Sequence, residues 1–135
     1  MKSNFDLELL KDIRDPSSQY CAVWKYSVHH SELVIEVKSD VDETPTTKRL
    51  FWIFQGVMSY HGPLKWQGAD FHLAPDSDCL ELIIHLKPGL KNPEVLVNDG
   101  LCNLFRFKDR ISRLDVHILA SGAIRGTELS SAGMN

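Results

Sequence analysis

The sequence has no surplus of basic charge. It contains 15 lysine and arginine residues against 18 acidic residues, which gives a formal net charge of −3. Binding to nucleic acid or to an anionic membrane through charge requires a basic patch or stripe. The sequence also has no apolar run long enough to span a bilayer, and its N-terminus carries acids where a signal peptide has an apolar stretch. We therefore expect a soluble, cytoplasmic protein with no nucleic-acid and no membrane partner.

Cysteine is scarce, and the motifs of common active sites are missing. Cys21, Cys79 and Cys102 are odd in number, widely spaced and form no CxxC pair, which is typical of reduced thiols in a cytosolic protein. Neither of the glycine-rich phosphate-binding motifs nor the GxSxG nucleophile motif occurs. We therefore expect no cofactor. Enzymatic activity stays open, and the absence of a catalytic signature favours a non-catalytic role.

Six histidines and two acidic loops raise the question of a metal site. If the chain around residues 75–78 is a hairpin turn, His72 and His85 lie roughly 13 Å apart at about 3.3 Å per residue, which is too far for one ion. The acidic loops at Asp40 to Glu43 and Asp76 to Asp78 lack the glycine and glutamate of an EF-hand. We interpret them as solvated loops and expect no metal, with a weak surface calcium site at either loop as the alternative.

The most apolar stretch runs from Leu50 to Tyr60 and begins with five consecutive large apolar residues, Leu50 to Phe54. A strand with one face in water alternates polar and apolar residues, whereas this run has no polar face. It predicts a central strand that is covered on both sides. Gly56 then indicates a bulge or a close backbone approach, at which regular burial ends.

The remaining elements follow from periodicity and turn residues. Helical spacing and the following Pro16 predict a short helix over Phe5 to Asp15. Alternation predicts an N-terminal hairpin with His30 and Ser31 in its loop, in which Lys25 faces Glu36 and Trp24, Tyr26 and Val28 lie on the apolar face. The predicted hairpins and last strand are Tyr20 to Lys38, Ala69 to Lys87 around PDSD, Glu94 to Phe107 around Asn98-Asp99-Gly100, and Ile111 to Leu119.

Together these elements predict a mostly β (α+β) fold. The ten-residue spacing of the strands favours an antiparallel β-sandwich or a partly open barrel of seven or eight strands, with one short N-terminal helix. We expect a single domain over residues 1–120. Residues 121–135 are rich in glycine and serine, so we expect a flexible C-terminal tail there.

One aromatic loop carries the functional hint. Tyr60, His61 and Trp66 gather after the central strand, and tyrosine and tryptophan are enriched at binding hot spots. The competing interpretation, which large aromatic residues favour, is that Trp66 folds back to cap the core. We expect a non-catalytic module that binds a protein partner or forms a homodimer. The alternative is a small enzyme or ligand carrier with a pocket inside the β-domain.

Overall fold

The computed structural model describes residues 5–38 and 49–127. Within these ranges the chain forms nine strands in two antiparallel sheets that stack as a sandwich and do not close into a barrel. This confirms the predicted antiparallel β-sandwich. The helices are α1 (Phe5–Leu9), α2 (Asp76–Leu86) and α3 (Pro93–Asn98), and the strands are β1 (Tyr20–Ser27), β2 (Glu32–Lys38), β3 (Leu50–Gln55), β4 (Ser59–His61), β5 (Lys65–Gln67), β6 (His72–Leu73), β7 (Asn103–Lys108), β8 (Asp115–Ala120) and β9 (Gly122–Thr127).

The apolar run forms β3, an interior strand of the five-stranded sheet. The strand order in that sheet is β5-β1-β2-β3-β9. Phe51, Trp52 and Phe54 are fully buried, as the absence of a polar face predicts. The strand ends at Gly56, whose φ of +61° lies in the left-handed region and whose Cβ position would be 2.5 Å from Ser121 Oγ. Only glycine fits this close approach without strain.

The main core lies between the two sheets and is rich in aromatic rings. Phe54 from β3 meets Phe105 from β7 edge-to-face, with ring centroids 5.0 Å apart. Trp52 packs against Phe71, and its indole nitrogen donates a hydrogen bond to Leu9 O of α1. Aromatic pairs of this geometry contribute about 0.5–1.5 kcal/mol beyond the area that they bury.

A second core lies on the outer face of the four-stranded sheet, whose order is β4-β8-β7-β6. Cys79 and Ile83 of α2 and Val97 of α3 pack there on Leu104 and Leu119. The two helices therefore form a third layer over one half of this sheet. The other half of the outer face carries the polar residues described below.

The predicted hairpin over Ala69 to Lys87 is wrong. Its first part is the short strand β6, and residues 76–86 form helix α2 instead of a second strand. The stretch contains both periods: Leu80 and Leu82 alternate like a strand, whereas Cys79 and Ile83 recur at helical spacing. The helical pair is the one that is buried. Asp76 and Asp78 lie in the first turn of α2, where the helix dipole favours acids, and not in a hairpin turn.

The predicted hairpin over Glu94 to Phe107 is also wrong. Residues 93–98 form α3, and only the second half is a strand, β7. Pro93 at the first helical position and Glu94 in the first turn are helix-start residues. Gly100 has a φ of +72° and follows the end of α3. A left-handed glycine can terminate a helix as well as form a hairpin turn, so the same residues fit both structures.

The N-terminal hairpin exists with a different register. Ser27 pairs with Glu32 and Tyr26 with Leu33, so the loop has four residues, and the register shifts between Val23 and Lys25. Trp24, Tyr26 and Val28 are consequently exposed, which corrects their predicted place on the apolar face. The predicted Lys25–Glu36 pair is wrong as well. Lys25 lies opposite Val34, and Glu36 forms its ion pair with Arg49.

The bounds of the first helix and of the last strands differ from the prediction. Helix α1 ends at Leu9, and Asp12 adopts a left-handed φ of +61° that is incompatible with a helix reaching Asp15. Leu10 and Ile13 still pack on the core. Strand β8 begins at Asp115 and not at Ile111. Residues 122–127, predicted to lie in a flexible tail, form β9, which pairs with β3 along its whole length. The acidic loop at Asp40 to Glu43 and residues 128–135 lie outside the described residues.

Candidate functional site

One row of nitrogen-bearing side chains crosses all four strands of the second sheet on its outer face. His61 of β4 is opposite His117 of β8, His117 is opposite Arg106 of β7, and Arg106 is opposite His72 of β6. Directly opposed residues project to the same face. We call these four residues the basic row. It lies on the polar half of the face, beside the apolar half that α2 and α3 cover.

A groove of about 380 Å³ runs between this row and α2, and it is open to solvent. Leu104, Arg106 and His117 line it from the sheet, and Asp78, Glu81, Leu82 and His85 line it from the helix. The sheet side therefore presents a guanidinium and an imidazole. The helix side presents two carboxylates and a second imidazole.

Two nitrogen atoms on the sheet side are buried without a hydrogen-bond partner among the described residues, namely Arg106 Nε and His117 Nε2. Arg106 uses only its terminal nitrogens, Nη1 and Nη2, which both lie 3.4 Å from Asp78 Oδ2. Asp115 Oδ2 is 4.0 Å from His117 Nε2, beyond hydrogen-bond distance. Most buried polar atoms in proteins have a hydrogen-bond partner. Arg106 Nε and His117 Nε2 are exceptions, and we therefore take the groove that they line as the candidate functional site.

The surroundings of His117 favour its neutral form. Burial lowers the pKa of His117 below its ordinary value of 6.5, and the positive charge of Arg106 and the neighbouring His61 act in the same direction, against the opposing effect of Asp115. His117 is therefore uncharged at neutral pH. A neutral imidazole can donate or accept at Nε2 depending on its tautomer, whereas Arg106 Nε can only donate.

The structure places the three predicted site residues, Tyr60, His61 and Trp66, in different environments. Trp66 is 2% exposed and packs against Phe107 in the core, and its Nε1 donates to Gly68 O at 3.0 Å. Tyr60 is half-buried, and its ring centroid lies 6.5 Å from that of Trp66.

Tyr60 holds the connection between β4 and β5. The Tyr60 hydroxyl donates to Pro63 O within this connection, and burial, followed by the effect of Cys21, raises the pKa of Tyr60 to about 12. His61 is exposed, and its ring centroid lies 6.3 Å from that of His117. Of the three predicted residues, His61 is the one that joins the basic row.

Sequence reasoning missed most of the groove. Arg106 alternates with Phe105 and Phe107, a pattern typical of a strand with Arg106 on its solvent side, but the pattern does not identify the neighbours of Arg106. The predicted hairpin over Ala69 to Lys87 puts Asp78 in its turn and Glu81 in its second strand, so it does not bring them to Arg106. His72 lies opposite Arg106 in the structure. The signal that could have found the site is the polar residue that interrupts both apolar strands, at Arg106 and at His117.

Metal and thiol chemistry have little support in the structure. Within residues 5–38 and 49–127, no three histidine, cysteine or acidic side chains are placed to hold a metal ion together. All three cysteines are buried, and burial, with a further contribution from Asp70, raises the pKa of the Cys21 thiol far above its usual range. A raised thiol pKa suppresses the reactive thiolate form.

The fold and the groove define a β-sandwich with a helical layer over half of one sheet and a mixed-charge groove beside that layer. No family model, no curated protein and no solved structure matches the chain. None of the helices in the described parts of the chain has the length and apolar character needed to cross a membrane.

Proposed function

We propose that this protein is a non-catalytic binding domain that recognises a protein partner through the groove and the basic row. The observation that carries the proposal is the unpaired state of Arg106 Nε and His117 Nε2 among the described residues. An unpaired buried donor costs about 1–3 kcal/mol. A partner that supplies an acceptor would recover this free energy. Both atoms are buried, so the side chains must turn toward the groove that they line for a partner to reach them.

The composition of the groove supports binding over catalysis. Its described lining contains carboxylates, imidazoles and a guanidinium, and it contains no serine, threonine or cysteine to act as a nucleophile. The interior of the sandwich is filled by aromatic rings, including Trp52, Phe54 and Phe105. This packing favours an external binding surface over a small enzyme or ligand carrier with an internal pocket.

The aromatic loop keeps a part in this proposal. His61 extends the binding surface to β4, and the hydrogen bond from Tyr60 to Pro63 O holds the loop that follows His61. We propose that a partner contacts His61 directly and depends on the buried Trp66 only through the integrity of the core. A cytoplasmic location and the absence of nucleic-acid ligands remain parts of the same proposal, supported by the cysteine pattern and the net charge of −3.

The test is a comparative capture experiment with matched variants. Immobilised wild-type protein, Arg106→Gln and Lys25→Gln are incubated with lysate of the cells that produce the protein. Lys25 is an exposed cation on the five-stranded sheet, so it controls for loss of charge alone. We expect a partner that wild type and Lys25→Gln retain and Arg106→Gln loses.

Light scattering on the purified protein tests self-association in the same way. A dimer that Arg106→Gln dissociates and Lys25→Gln preserves identifies a second copy of the chain as the partner. If all three proteins stay monomeric and retain the same partners, the proposal for this surface is wrong. Trp66→Ala is unsuitable here because removing a buried ring destabilises the whole fold.

A further inference from the structure

The five-stranded sheet ends in a long edge strand, β9. In the order β5-β1-β2-β3-β9 it has β3 on one side and no strand on the other, and within the described chain its backbone hydrogen-bonds only with β3. We propose that β9 pairs with β9 of a second copy of this chain, antiparallel and about a two-fold axis at Ile124. The pairing joins the two five-stranded sheets into one sheet of ten strands. It goes beyond the groove and does not depend on it.

An edge strand offers backbone groups that a further strand can use. About half of the N–H and C=O groups of an antiparallel edge strand point away from its neighbour. Proteins protect such edges with short strands, bulges, prolines or charged side chains. The edge strands β4, β5 and β6 have three, three and two residues, so their length protects them.

Strand β9 has none of these protections. It has six residues, contains no proline, lysine or acid, and pairs with β3 without a break in register. Its one charged residue, Arg125, lies opposite Trp52 on the core side of the sheet, and its guanidinium donates a hydrogen bond to Lys11 O. Helix α1 lies on the same side, where Phe5 and Leu9 are buried in the core. Neither the charge nor the helix therefore covers the outer face of β9.

A row of apolar side chains on this outer face ends at the edge of the sheet. Val34 of β2 lies opposite Ile53 of β3, and Ile53 lies opposite Ile124 of β9. Lys25 of β1 closes the row at its other end. The exposed fraction rises from 1% at Val34 to 44% at Ile124, so the last apolar side chain of the row is the one that remains exposed.

A two-fold axis at Ile124 continues this row into the second copy. The two Ile124 side chains then lie opposite each other, and directly opposed β-branched side chains stabilise a sheet. Arg125 of each copy lies opposite Ala123 of the other, so like charges are not opposed. Gly122 lies opposite Gly126, where no side chains meet. The strand is therefore complementary to itself, as an interface with two-fold symmetry requires.

The composition of β9 favours its own copy over a strand of a different protein. A strand that adds to a sheet edge is selected by side-chain pockets and by charges along that edge. The outer face of β9 carries no charge and offers one exposed isoleucine. Six residues are fewer than the roughly 20–30 residues per partner of a standard interface. We therefore expect a dimer that exchanges with the monomer, with a dissociation constant on the order of 10 µM.

The experiment is sedimentation equilibrium of the full chain between about 1 and 500 µM, a range that brackets this dissociation constant. Ile124→Lys places two cations opposite each other at the two-fold axis. Ile111→Lys is the matched control, because Ile111 is 67% exposed in the β7–β8 connection. We expect wild type and Ile111→Lys to dimerise alike, and Ile124→Lys to dimerise at least about tenfold more weakly, since opposed like charges destabilise a strand pair.

A mixture of two variants tests the register. Ile124→Glu alone should weaken the dimer as Ile124→Lys does. An equimolar mixture of the two should dimerise more tightly than either variant, because opposite charges then face each other. Ile124 reaches solvent, and circular dichroism establishes that each variant is folded.

Ile124→Cys gives a second measurement that adds no charge. The two new thiols lie opposite each other at the axis, whereas the three native cysteines are buried. Mild oxidation should therefore produce a covalent dimer from Ile124→Cys and none from Ile111→Cys.

The inference is overturned if wild type is monomeric throughout this concentration range, or if Ile124→Lys dimerises as wild type does. A mixture that associates no better than its two components would also contradict the axis at Ile124. A dimer that Arg106→Gln dissociates and Ile124→Lys preserves would place self-association at the groove. The proposed function would then stand, and only the pairing of β9 would be wrong.

Discussion

Arg106 and His117 face each other across the β7–β8 pair, and each keeps one buried side-chain nitrogen without a partner in the described chain. The positive charge of Arg106 also contributes to the lowered pKa of His117. Polar groups kept only for stability are expected to satisfy one another. This pair does not, and it lines a groove. The local cost in stability is consistent with a site that a partner completes.

His117 should make folding stability depend on pH in a defined direction. Its folded-state pKa lies below the ordinary value of 6.5, so the unfolded chain takes up the proton first as the pH falls. Wild type should therefore lose stability as the pH falls below 6.5 toward the folded-state pKa of His117. Urea unfolding at pH 7 and pH 5 measures this loss.

The matched variant for this prediction is His117→Gln, which cannot take up a proton. We expect a smaller loss of stability between the two pH values in His117→Gln than in wild type. Equal losses would show that His117 has an unperturbed pKa, which would contradict the burial that the structure assigns to it.

Substitutions at Trp66 and His61 should separate a core residue from a surface residue. Trp66→Ala removes a buried ring and should destabilise the fold by about 3–5 kcal/mol. Trp66→Phe keeps most of the bulk but loses the hydrogen bond to Gly68 O, at a cost of about 1–2 kcal/mol. His61→Ala should stay within about 0.5 kcal/mol, as is usual for surface changes.

Denaturant unfolding measures all three variants. A small effect of Trp66→Ala would mean that the ring does not contribute to the core. In that case the aromatic residue would be accessible to a partner, as the sequence suggested.

Asp109 should be a principal stabilising residue of the β7–β8 connection. It is 6% exposed and accepts hydrogen bonds from the Ser112 hydroxyl at 2.7 Å and from the amides of Ile111 and Gln67. Asp109→Ala leaves these donors without their acceptor and should cost about 2–4 kcal/mol. Asp70→Ala, which removes a half-exposed ion pair with Arg110, should cost at most about 1 kcal/mol.

The same carboxylate predicts a pH dependence at acidic pH. Burial alone would raise the pKa of Asp109, but the hydrogen bonds that it accepts outweigh this effect and lower the pKa below its ordinary value of 3.8. Its stabilisation is therefore present above that value and lost as the pH falls through the folded-state pKa. Acid unfolding should be less steep in Asp109→Ala than in wild type, and an identical slope would contradict the network.

Gly56 should tolerate no side chain. Its left-handed φ of +61° and the 2.5 Å approach of Ser121 Oγ to the Cβ position should make Gly56→Ala destabilising by about 1–3 kcal/mol. Gly89 is the matched control, because a Cβ there meets nothing within 4 Å. Gly89→Ala should stay within about 1 kcal/mol of wild type. Thermal unfolding that ranks the two variants in the opposite order would show that β3 ends differently.

The sequence predicts best where a pattern has one physical solution. The run from Leu50 to Phe54 fits only a strand with both faces covered, and it forms one. Phe105 and Phe107 alternate with Arg106 and Lys108, and the two aromatic residues lie in the core while the two cations face outward. In both cases local periodicity and tertiary packing agree.

The sequence predicts poorly where two solutions compete. Residues 79–86 carry apolar side chains at both strand and helical periods. The helix is the structure that buries Cys79 and Ile83 against Leu104 and Leu119 on the outer face of the four-stranded sheet. The basic row depends on the register of four strands, of which β4 has three residues and β6 has two. Strands this short leave almost no periodicity, so the meeting of His61, His117, Arg106 and His72 could not be read from the chain.

The most direct test of the account is site-specific photo-cross-linking in the cells that produce the protein. His61 and His72, at the two ends of the basic row, are replaced one at a time by p-benzoyl-L-phenylalanine. Trp24 receives the same replacement as a control, because it is 45% exposed on the five-stranded sheet. We expect positions 61 and 72 to form covalent adducts with the same partner, or with a second copy of the chain, and position 24 to form none. Adducts at position 24 with none at 61 and 72 would place recognition on the opposite sheet and contradict it.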